Sequence, residues 1–438
     1  MPPDDANVEV LDAHVRRAGI EALLPARISG VVRLEGDPVV RDALTLPGGC
    51  VLAVVQSGDE VVVAPLVPGP EGVRRALAGD GAFSGIARVV RAGEDAGRFE
   101  VRTYDEVPDV GDERAIDADQ SNDSMVVGER LVVKVYARTA PGSQPGLDLP
   151  AHLAAVGFTQ LPRPYGALVW TDDGARPVLL ATLAEYLPGA EDGWDWYVRL
   201  LEGWIDGDVT AAGVEEPADR LGTLVADLHR FLATPSVVFP NPVTFADATT
   251  TAAWRRRAEA TLDEALELTQ GEVGERLTSV GPEVRRALAD LDAVDRTPVM
   301  RIHGDLHVGQ TLRWDGGYAV SDFDGNPLAP LDVRTAPDAA ARDVASMARA
   351  LDHVGRVVQR RRPVHGPDVD GWIGDVRTRF LAAYRAGLGA EGHLFDERLL
   401  RPFEVAQECH EHVYAVRYLP RWAYVPDVAL PALLAERS

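Results

Sequence analysis

The spacing of apolar residues changes once along this chain, close to Trp194, and this change restricts the folds that the chain can adopt. Before Trp194, short apolar runs such as Leu131–Tyr136 and Pro177–Leu183 are separated by Gly and Pro, which is typical of strands. After Trp194, apolar residues recur with helical spacing over long segments, which indicates amphipathic helices. A strand-rich stretch at Val299–Asp324 interrupts these helices. The pattern therefore predicts an α+β chain with a β-rich first part and a helical second part.

Individual elements follow from the same signals. Val51–Val55 and Val61–Pro65 predict a β-hairpin, because the turn residues Ser57-Gly58-Asp59 separate them. We expect a helix at Glu71–Ala78 and a hinge at Glu185–Gly189. Further predicted strands are Arg98–Tyr104, Ser124–Val127, Leu131–Tyr136 and Leu168–Trp170, and a helix is predicted at Leu147–Ala155. The predicted helices of the second part are Trp194–Trp204, Pro217–Ala233, Thr249–Leu268, Pro282–Leu291, Ala339–Gln359, Gly371–Leu388 and Asp396–Tyr418.

Composition excludes several classes of protein. The formal net charge of −24 argues against a nucleic-acid-binding surface, since phosphate backbones select basic residues. Apolar runs such as Val51–Val55 are too short to span a bilayer, and the acidic N-terminus lacks the layout of a signal peptide. We therefore expect a cytoplasmic protein with no membrane partner. Cys50 and Cys409 lie far apart, form no metal-binding pattern, and are expected to be buried or semi-buried thiols.

Two acidic motifs flank a predicted hairpin in the second part of the chain. The first is His303–Gln310 and the second is Ser321–Gly325. Asp315-Gly316-Gly317 between them is a strong tight-turn signal. A hairpin at this point would bring Gln310 and Asp322 to the same open end.

This spacing is typical of phosphoryl transfer. That reaction needs a carboxylate facing the acceptor hydroxyl, and oxygen ligands that hold magnesium on the nucleotide phosphates. Asp305 suits the first role, as the catalytic base. Asp322 and the side-chain oxygen of Gln310 suit the second, with Asp324 as a further candidate ligand. The sequence therefore predicts an ATP-dependent kinase that uses Mg²⁺.

Only one of the 44 basic residues is a lysine, Lys134. A single lysine among arginines suggests a position where a compact ammonium is needed and a planar guanidinium does not fit. His303-Gly304-Asp305 followed by Asp322-Phe323-Asp324 resembles the aminoglycoside phosphotransferase-like kinases. The resemblance implies a bilobal protein-kinase-like fold, in which the strand lysine, matched by Lys134, holds the α- and β-phosphates. By the same resemblance Asp148 would be the acidic partner of Lys134.

The resemblance also implies a domain organisation. Residues 1–88 would form an N-terminal cap subdomain, 89–188 a β-rich nucleotide-binding N-lobe, and 189–438 a helical C-lobe with the catalytic loop and the acceptor site. Composition alone assigns no chemistry to the cap.

Two features depart from the wider family and are similar to maltokinases. The loop before Lys134 is Gln120–Ser124 rather than a glycine-rich loop, and Gln310 replaces the more common asparagine. By similarity, the side chains of this loop would cover the nucleotide phosphates and the backbone after the last N-lobe strand would face adenine. The residues concerned are Ser121, Asn122 and Ser124 for the phosphates, and Glu185, Tyr186 and Leu187 for adenine.

The last long predicted helix carries a candidate acceptor site. Gln407, Glu411 and Tyr414 stand at i, i+4 and i+7 and so form one stripe. Glu408 lies about 100° around the helix from Gln407 but is an i,i+3 neighbour of Glu411. Two carboxylates at this spacing repel each other unless a cation lies between them, and a substrate ammonium would supply that cation.

The alternative is internal neutralisation of these glutamates, by His410 or Arg417. Tyr414 and Trp422 would offer an aromatic face to a sugar ring or to the cation. His307 is expected to line the acceptor pocket and His303 to support the catalytic loop, whereas His229 is expected to have no role in chemistry.

The pattern Gln-Glu-x-x-Glu-x-x-Tyr, followed by Leu-Pro-Arg-Trp, resembles actinobacterial glucosamine kinases. The resemblance implies phosphorylation of glucosamine at its 6-hydroxyl, with Gln407, Glu408 and Glu411 reading the amino sugar. The partners would then be ATP and an amino sugar, and the chain a monomer or homodimer. A maltokinase, an aminoglycoside phosphotransferase and a regulatory pseudokinase remain as alternatives.

Overall fold

The computed structural model describes residues 5–25, 37–58, 60–70, 72–116 and 122–436. The chain forms two compact units, one made of Met1–Ala155 with Pro162–Pro188 and the other of Val156–Leu161 with Gly189–Ser438. The first unit is rich in strands and the second is mostly helical. The division of the first 188 residues into a cap and an N-lobe stays a prediction.

Two antiparallel sheets form the first unit. The first sheet has the strand order β1-β2-β3-β4, with β9 also paired to β3, and the second has the order β5-β10-β11-β8-β7-β6. The strands are β1 Val39–Thr45, β2 Val51–Ser57, β3 Glu60–Gly69, β4 Gly72–Arg75, β5 Phe99–Thr103, β6 Glu113–Ala115, β7 Asp123–Val127, β8 Leu131–Val135, β9 Arg138–Thr139, β10 Pro164–Thr171 and β11 Pro177–Glu185. The helices are α1 Asp5–Ala18, α2 Ala82–Ala92 and α3 Pro145–Val156.

Strand β2 is apolar from Val51 to Val55 because both of its faces are buried there. Leu52 and Val54 pack in a core with Phe83 of α2, whereas Ala53 and Val55 pack in a second core that includes residues of α1. Alternate side chains of a strand point to opposite faces, so a stretch that lies between two cores is apolar at every position. The predicted hairpin of β2 and β3 is confirmed, and Asp59 of its turn lies outside the described residues.

The helix predicted at Glu71–Ala78 is wrong, because Gly72–Arg75 is strand β4. Its residues extend the sheet by pairing with Leu66–Gly69 of β3. The long helices α1 and α2 were not predicted from the sequence.

The second unit contains the remaining helices, a three-stranded sheet with the order β12-β15-β16, and a two-stranded sheet of β13 and β14. The helices are α4 Gly193–Ile205, α5 Ala211–Leu232, α6 Ala248–Leu268, α7 Gly271–Ala289, α8 Leu331–Thr335, α9 Ala340–Arg361, α10 Gly366–Leu388, α11 Leu400–Tyr418 and α12 Tyr424–Ala435. The strands are β12 Glu191–Asp192, β13 Thr244–Asp247, β14 Arg296–Val299, β15 Thr311–Trp314 and β16 Gly317–Val320. Each predicted helix of this part overlaps an observed one, whereas α8 and α12 were not predicted.

Helix α11 lies at the centre of the helical unit. One side of it, with Val405, Cys409 and Val413, packs in a core with α6, α7 and α12. Its other side carries the predicted acceptor residues. Both cysteines of the chain are buried and unpaired, as predicted. Among the described helices, none is long and apolar enough to cross a membrane.

Candidate active site

The predicted catalytic loop, His303–Gln310, follows β14 and leads into the hairpin of β15 and β16. The predicted hairpin is confirmed. The backbone of the loop is held by Asp343 in the first turn of α9. Asp343 Oδ2 accepts a hydrogen bond of 2.9 Å from the N–H of His303, and Oδ1 accepts one of 2.9 Å from the N–H of Gly304. Both carboxylate oxygens therefore fix the backbone immediately before Asp305.

Asp343 is itself buried, with 1% of its surface exposed. Burial alone would raise its pKa, but the hydrogen bond and charge of His229, with further contributions from His303 and Gly304, lower the pKa below its ordinary value. His229 Nδ1 lies 2.8 Å from the hydroxyl of Tyr384. The carboxylate that holds the loop thus stays ionised within the core.

His303 joins the two acidic motifs. Its Nδ1 accepts a hydrogen bond of 3.3 Å from the N–H of Asp305, so its Nε2 carries the proton and donates to the carbonyl of Ser321 at 2.9 Å. Its ring packs on Phe323, with 5.0 Å between the ring centroids. The predicted supporting role of His303 is confirmed.

Asp305 lies in a crowded acidic environment. Burial is the largest cause that raises its pKa well above the ordinary value, and the charges of Asp322, Glu411 and Asp343 raise it further. A hydrogen bond with the side chain of Gln310 lowers the pKa and opposes these effects. The three predicted residues Asp305, Gln310 and Asp322 therefore come together, and the carboxylates of Asp305 and Asp322 repel each other.

Gln310, Asp322 and Asp324 carry oxygen donors of the kind that a magnesium ion takes. The candidate ligands are a carboxamide oxygen and carboxylate oxygens, the donors that Mg²⁺ prefers. Asp322 adopts a backbone φ of 60°, which is uncommon for a residue other than glycine and typical of functional positions. The carbonyl of Asp324 accepts a hydrogen bond of 3.2 Å from Arg334, which anchors the segment after Phe323.

A pocket of about 360 Å³ opens above Asp305. Of the predicted acceptor residues, it is lined by Asp305, His307, Gln407, Glu411, Tyr414 and Trp422. Trp194, Asn326, Ser346, His353 and His410 also line it. The predicted stripe of α11 therefore faces the same space as the predicted catalytic base.

The carboxylate of Glu411 is held at both oxygens. Oε1 accepts a hydrogen bond of 3.0 Å from Gln407 Nε2, and Oε2 accepts one of 2.9 Å from the indole N–H of Trp422. Tyr414, one turn further along α11, packs on Tyr418. The structure thus gives Trp422 a polar contact that the sequence did not predict.

The structure does not bring Glu408 to the pocket with the other predicted acceptor residues. Glu408 is fully buried and does not line the pocket. Its Oε1 lies 2.9 Å from His353 Nε2 and 3.7 Å from Arg349 Nη1. The rotation of about 100° between successive helical residues carries Glu408 away from the pocket and into the packing against α9.

His307 faces the pocket as a neutral ring. Burial is the largest cause that lowers its pKa to about 4. Its Nδ1 accepts a hydrogen bond of 3.1 Å from the N–H of Gly309, so the ring proton is on Nε2. His307 can therefore donate one hydrogen bond to an oxygen atom in the pocket.

The predicted nucleotide residues lie in the first unit. Lys134 on β8 is directly opposite Ser124 on β7, and its Nζ lies 5.3 Å from the ring centroid of Tyr136. Asp148 lies in the first turn of α3 and accepts a hydrogen bond from Ser143 Oγ. The pairing of Lys134 with Asp148 stays a prediction.

The other predicted nucleotide residues flank these strands. Asn122 immediately precedes β7, and Ser121 lies outside the described residues. The backbone N–H groups of Glu185 and Tyr186 donate to the carbonyls of Arg163 and Arg130, each at 2.8 Å. Those two N–H groups are therefore already used in hydrogen bonds within the protein. Leu187, which follows them, is buried. Contact of this segment with adenine stays a prediction.

Comparison with known proteins identifies the family of this chain. A sequence model of the Phosphotransferase enzyme family (APH) matches residues 112–403. The chain belongs to this family. A glucosamine kinase from Streptacidiphilus jiangxiensis is 43% identical over 98% of this chain and 96% of its own length. A glucosamine kinase from Mycolicibacterium smegmatis (strain ATCC 700084 / mc(2)155) is 36% identical over 90% of this chain and 98% of its own length.

A solved structure is similar over the whole phosphotransferase chain. The structure of a glucosamine kinase in complex with glucosamine, ADP and inorganic phosphate has a TM-score of 0.82 and 41% identity, and it covers 99% of this chain and 100% of its own. The predicted fold class and the predicted kinase family are confirmed. The chain is a phosphotransferase enzyme.

Several pocket residues of this phosphotransferase were not predicted to contact the substrate. Trp194 and His353 lie far from both acidic motifs in sequence, on α4 and α9. The Asp192-Gly193 pair could have indicated that Trp194 lies in a fixed position near the site. Aspartate is a preferred N-cap residue, and a glycine beside it is a sign of close backbone packing.

Proposed function

We propose that this phosphotransferase transfers the γ-phosphoryl group of ATP to glucosamine, producing glucosamine 6-phosphate. The observation that carries the proposal is the placement of Glu411, whose fixed carboxylate lines the same pocket as the catalytic base Asp305. A carboxylate oriented in advance is suited to bind an ammonium group through charge-assisted hydrogen bonds. The similarity to glucosamine kinases over almost the whole chain supports the same substrate.

Each pocket residue then has a distinct task. Asp305 orients the acceptor hydroxyl and takes its proton, since its carboxylate belongs to the catalytic loop and lines the pocket. Glu411 pairs with the substrate ammonium, and His307 donates from Nε2 to a sugar oxygen. The arrangement contributes to catalysis mainly by positioning the acceptor for transfer.

Gln310, Asp322 and Asp324 would hold Mg²⁺, which neutralises phosphate charge when it is bound. Lys134 and Ser124 would contact the nucleotide phosphates. Since the reaction draws on the ATP pool, we place the enzyme in the cytoplasm. No nucleic acid or membrane partner is required for this chemistry.

A maltokinase activity is the alternative that the pocket argues against. A neutral disaccharide would leave the carboxylate of Glu411 without a cation in a half-buried position, which costs binding free energy. An aminoglycoside substrate would use the same carboxylate, but it must fit a pocket of about 360 Å³.

The test is ATP consumption with Mg²⁺ against glucosamine, glucose, N-acetylglucosamine, maltose and kanamycin, with Asp305→Ala as the inactive control. We expect turnover selective for glucosamine that is lost in the control. N-acetylglucosamine isolates the ammonium, because acetylation removes its charge and leaves the 6-hydroxyl intact. Phosphorus and carbon NMR of the product would identify the phosphorylated hydroxyl. Selective turnover of maltose or kanamycin would refute the proposal.

A further inference from the structure

Trp422, whose indole N–H donates to Oε2 of Glu411, lies between two other rings. Its indole centroid lies 5.2 Å from that of Trp194, with an angle of 61° between the rings. It lies 5.8 Å from the ring centroid of His353, with an angle of 88°. Edge-to-face contacts of this kind favour one ring orientation over others. The indole N–H is therefore directed at Glu411 by its neighbours.

Trp194 is placed firmly from its own side. Its N–H donates a hydrogen bond of 2.8 Å to the side chain of Asp192, which caps helix α4. Gly193 packs so closely on the catalytic loop that a Cβ would overlap the carbonyl oxygen of Val308 and Oγ1 of Thr311. The position of Trp194 is thereby tied to the backbone that follows Asp305.

His353 is fixed from the opposite side by buried charges. Its Nε2 lies 2.9 Å from Glu408 Oε1. Arg349, with 1% of its surface exposed, lies within 3.6–3.7 Å of Glu408, Glu404 and Asp352. Separating one member of this buried group from the others would leave an uncompensated charge. The arrangement of Arg349, Glu408 and His353 is therefore strongly favoured over alternatives. Glu408 thus acts on the pocket through His353.

We propose that Trp194 and His353 hold Trp422 from both sides and thereby orient the carboxylate of Glu411 for recognition of the substrate ammonium. Glu408 acts by positioning His353, so Trp194, His353 and Glu408 are positioning residues. The clamp, defined as Trp194, Trp422 and His353, determines specificity for an amino sugar over the corresponding neutral sugar. This inference rests on the proposed function, because it names the residues that give Glu411 its selectivity. It assigns roles to Trp194 and Glu408 that do not involve contact with the ammonium.

The first test compares Trp422→Phe, Trp194→Leu and Trp194→Phe in the full-length protein. The readout is the ratio of kcat/KM for glucosamine to kcat/KM for glucose. Trp422→Phe keeps a ring but removes the N–H, and loss of a hydrogen bond to a charged group corresponds to about a tenfold fall in this ratio. Trp194→Leu should lower the ratio similarly, and Trp194→Phe should restore most of it because an aromatic edge is retained.

Trp204→Leu is the matched control. Trp204 lies on the same helix α4 and is half-buried, but it does not line the pocket. It should leave the ratio at the wild-type value. If Trp194→Leu lowers only the melting temperature, or lowers kcat/KM equally for both sugars, Trp194 has a general structural role and the proposal is wrong.

A second measurement needs no turnover. In protein labelled with ¹⁵N-tryptophan, the indole resonance of Trp422 is identified by its loss in Trp422→Phe. It should shift in Glu411→Gln and in Trp194→Leu, but not in Trp204→Leu. If the wild-type protein fails to phosphorylate glucosamine, the proposed function is wrong, and this resonance still decides whether the clamp exists. An unchanged resonance in Trp194→Leu would refute the clamp by itself.

Discussion

His229 Nε2 lies 3.2 Å from Oδ2 of Asp343, within the core of the helical unit. The same oxygen accepts the backbone N–H of His303. A residue of α5 thus supports the catalytic loop through one intermediate carboxylate. The sequence-based interpretation that His229 has no role in chemistry is therefore too simple, because His229 keeps Asp343 ionised and in place.

Asp343→Asn should lower kcat at least tenfold with little change in KM for either substrate. An asparagine offers one acceptor oxygen where Asp343 uses two, so one loop N–H loses its partner. Leaving such a buried group unsatisfied should also lower the free energy of unfolding by about 3 kcal/mol. Steady-state kinetics and urea unfolding check both effects. Asp219→Asn is the control, since Asp219 forms an exposed pair with Arg379 that is worth less than about 1 kcal/mol. Unchanged kcat in Asp343→Asn would contradict the supporting role.

Gly193→Ala should impair both stability and activity. The new methyl group would overlap the backbone of Val308, so the catalytic loop or α4 must move, at a cost of about 1–3 kcal/mol. Because Trp194 follows directly, KM for the sugar should rise as well. Gly374→Ala is the matched control on α10, where a methyl group meets open space. It should stabilise the protein by about 0.5–1 kcal/mol, since alanine loses less backbone entropy in a helix. Equal effects of the two substitutions on melting temperature would disprove the close-packing argument.

The sequence predicted which residues of the candidate site come together where those residues are close in sequence. Asp305, Gln310 and Asp322 are joined by one tight hairpin, so local turn chemistry is sufficient to bring them together. The stripe of Gln407 and Glu411 follows from helical spacing in the same way.

The clamp could not be predicted, because its rings come from α4, from α9 and from the turn Pro420–Trp422 after α11, and they meet only through packing. Glu408 was misplaced for a related reason. Spacing identifies it as a neighbour of Glu411 but does not say which side of α11 faces the pocket. The helix predicted at Glu71–Ala78 is wrong because Gly72–Arg75 pairs with β3. Contacts with the rest of the fold often override the local helix propensity of a segment.

His412 should make the protein less stable in mild acid. It is 2% exposed, and burial is the largest cause that lowers its pKa from 6.5 to about 4. Between these two pH values the unfolded state binds a proton that the folded state does not, so the free energy of unfolding falls as pH decreases. His307, with a pKa also lowered to about 4, contributes in the same direction.

His412→Leu should therefore flatten the decline in stability between pH 6.5 and 4, by up to about 3 kcal/mol over the whole window. Urea unfolding at a series of pH values in that window checks this expectation. Identical pH dependence in the variant and the wild-type protein would show that His412 does not titrate as its burial implies.

Lys134 and Asp148 allow a direct test of nucleotide binding. Lys134 is the single lysine of the chain, on a strand flanked by β7 and β11. Lys134→Met should weaken binding of ATP, measured by calorimetry, since it removes the ammonium expected to contact the phosphates. Lys134→Arg should also fail to restore full affinity, because a planar guanidinium does not replace a compact ammonium.

Asp148→Asn then tells whether Asp148 positions that lysine. If the two residues interact, the double variant should bind ATP more tightly than the sum of the two single effects predicts, with a coupling free energy of about 1 kcal/mol or more. Arg138→Met on β9 is the control for loss of a nearby positive charge, because Arg138 is paired with Glu60 in the first sheet. Additive effects of Lys134→Met and Asp148→Asn would mean that Asp148 serves only its hydrogen bond with Ser143 and that the lysine is positioned by other residues of the first unit.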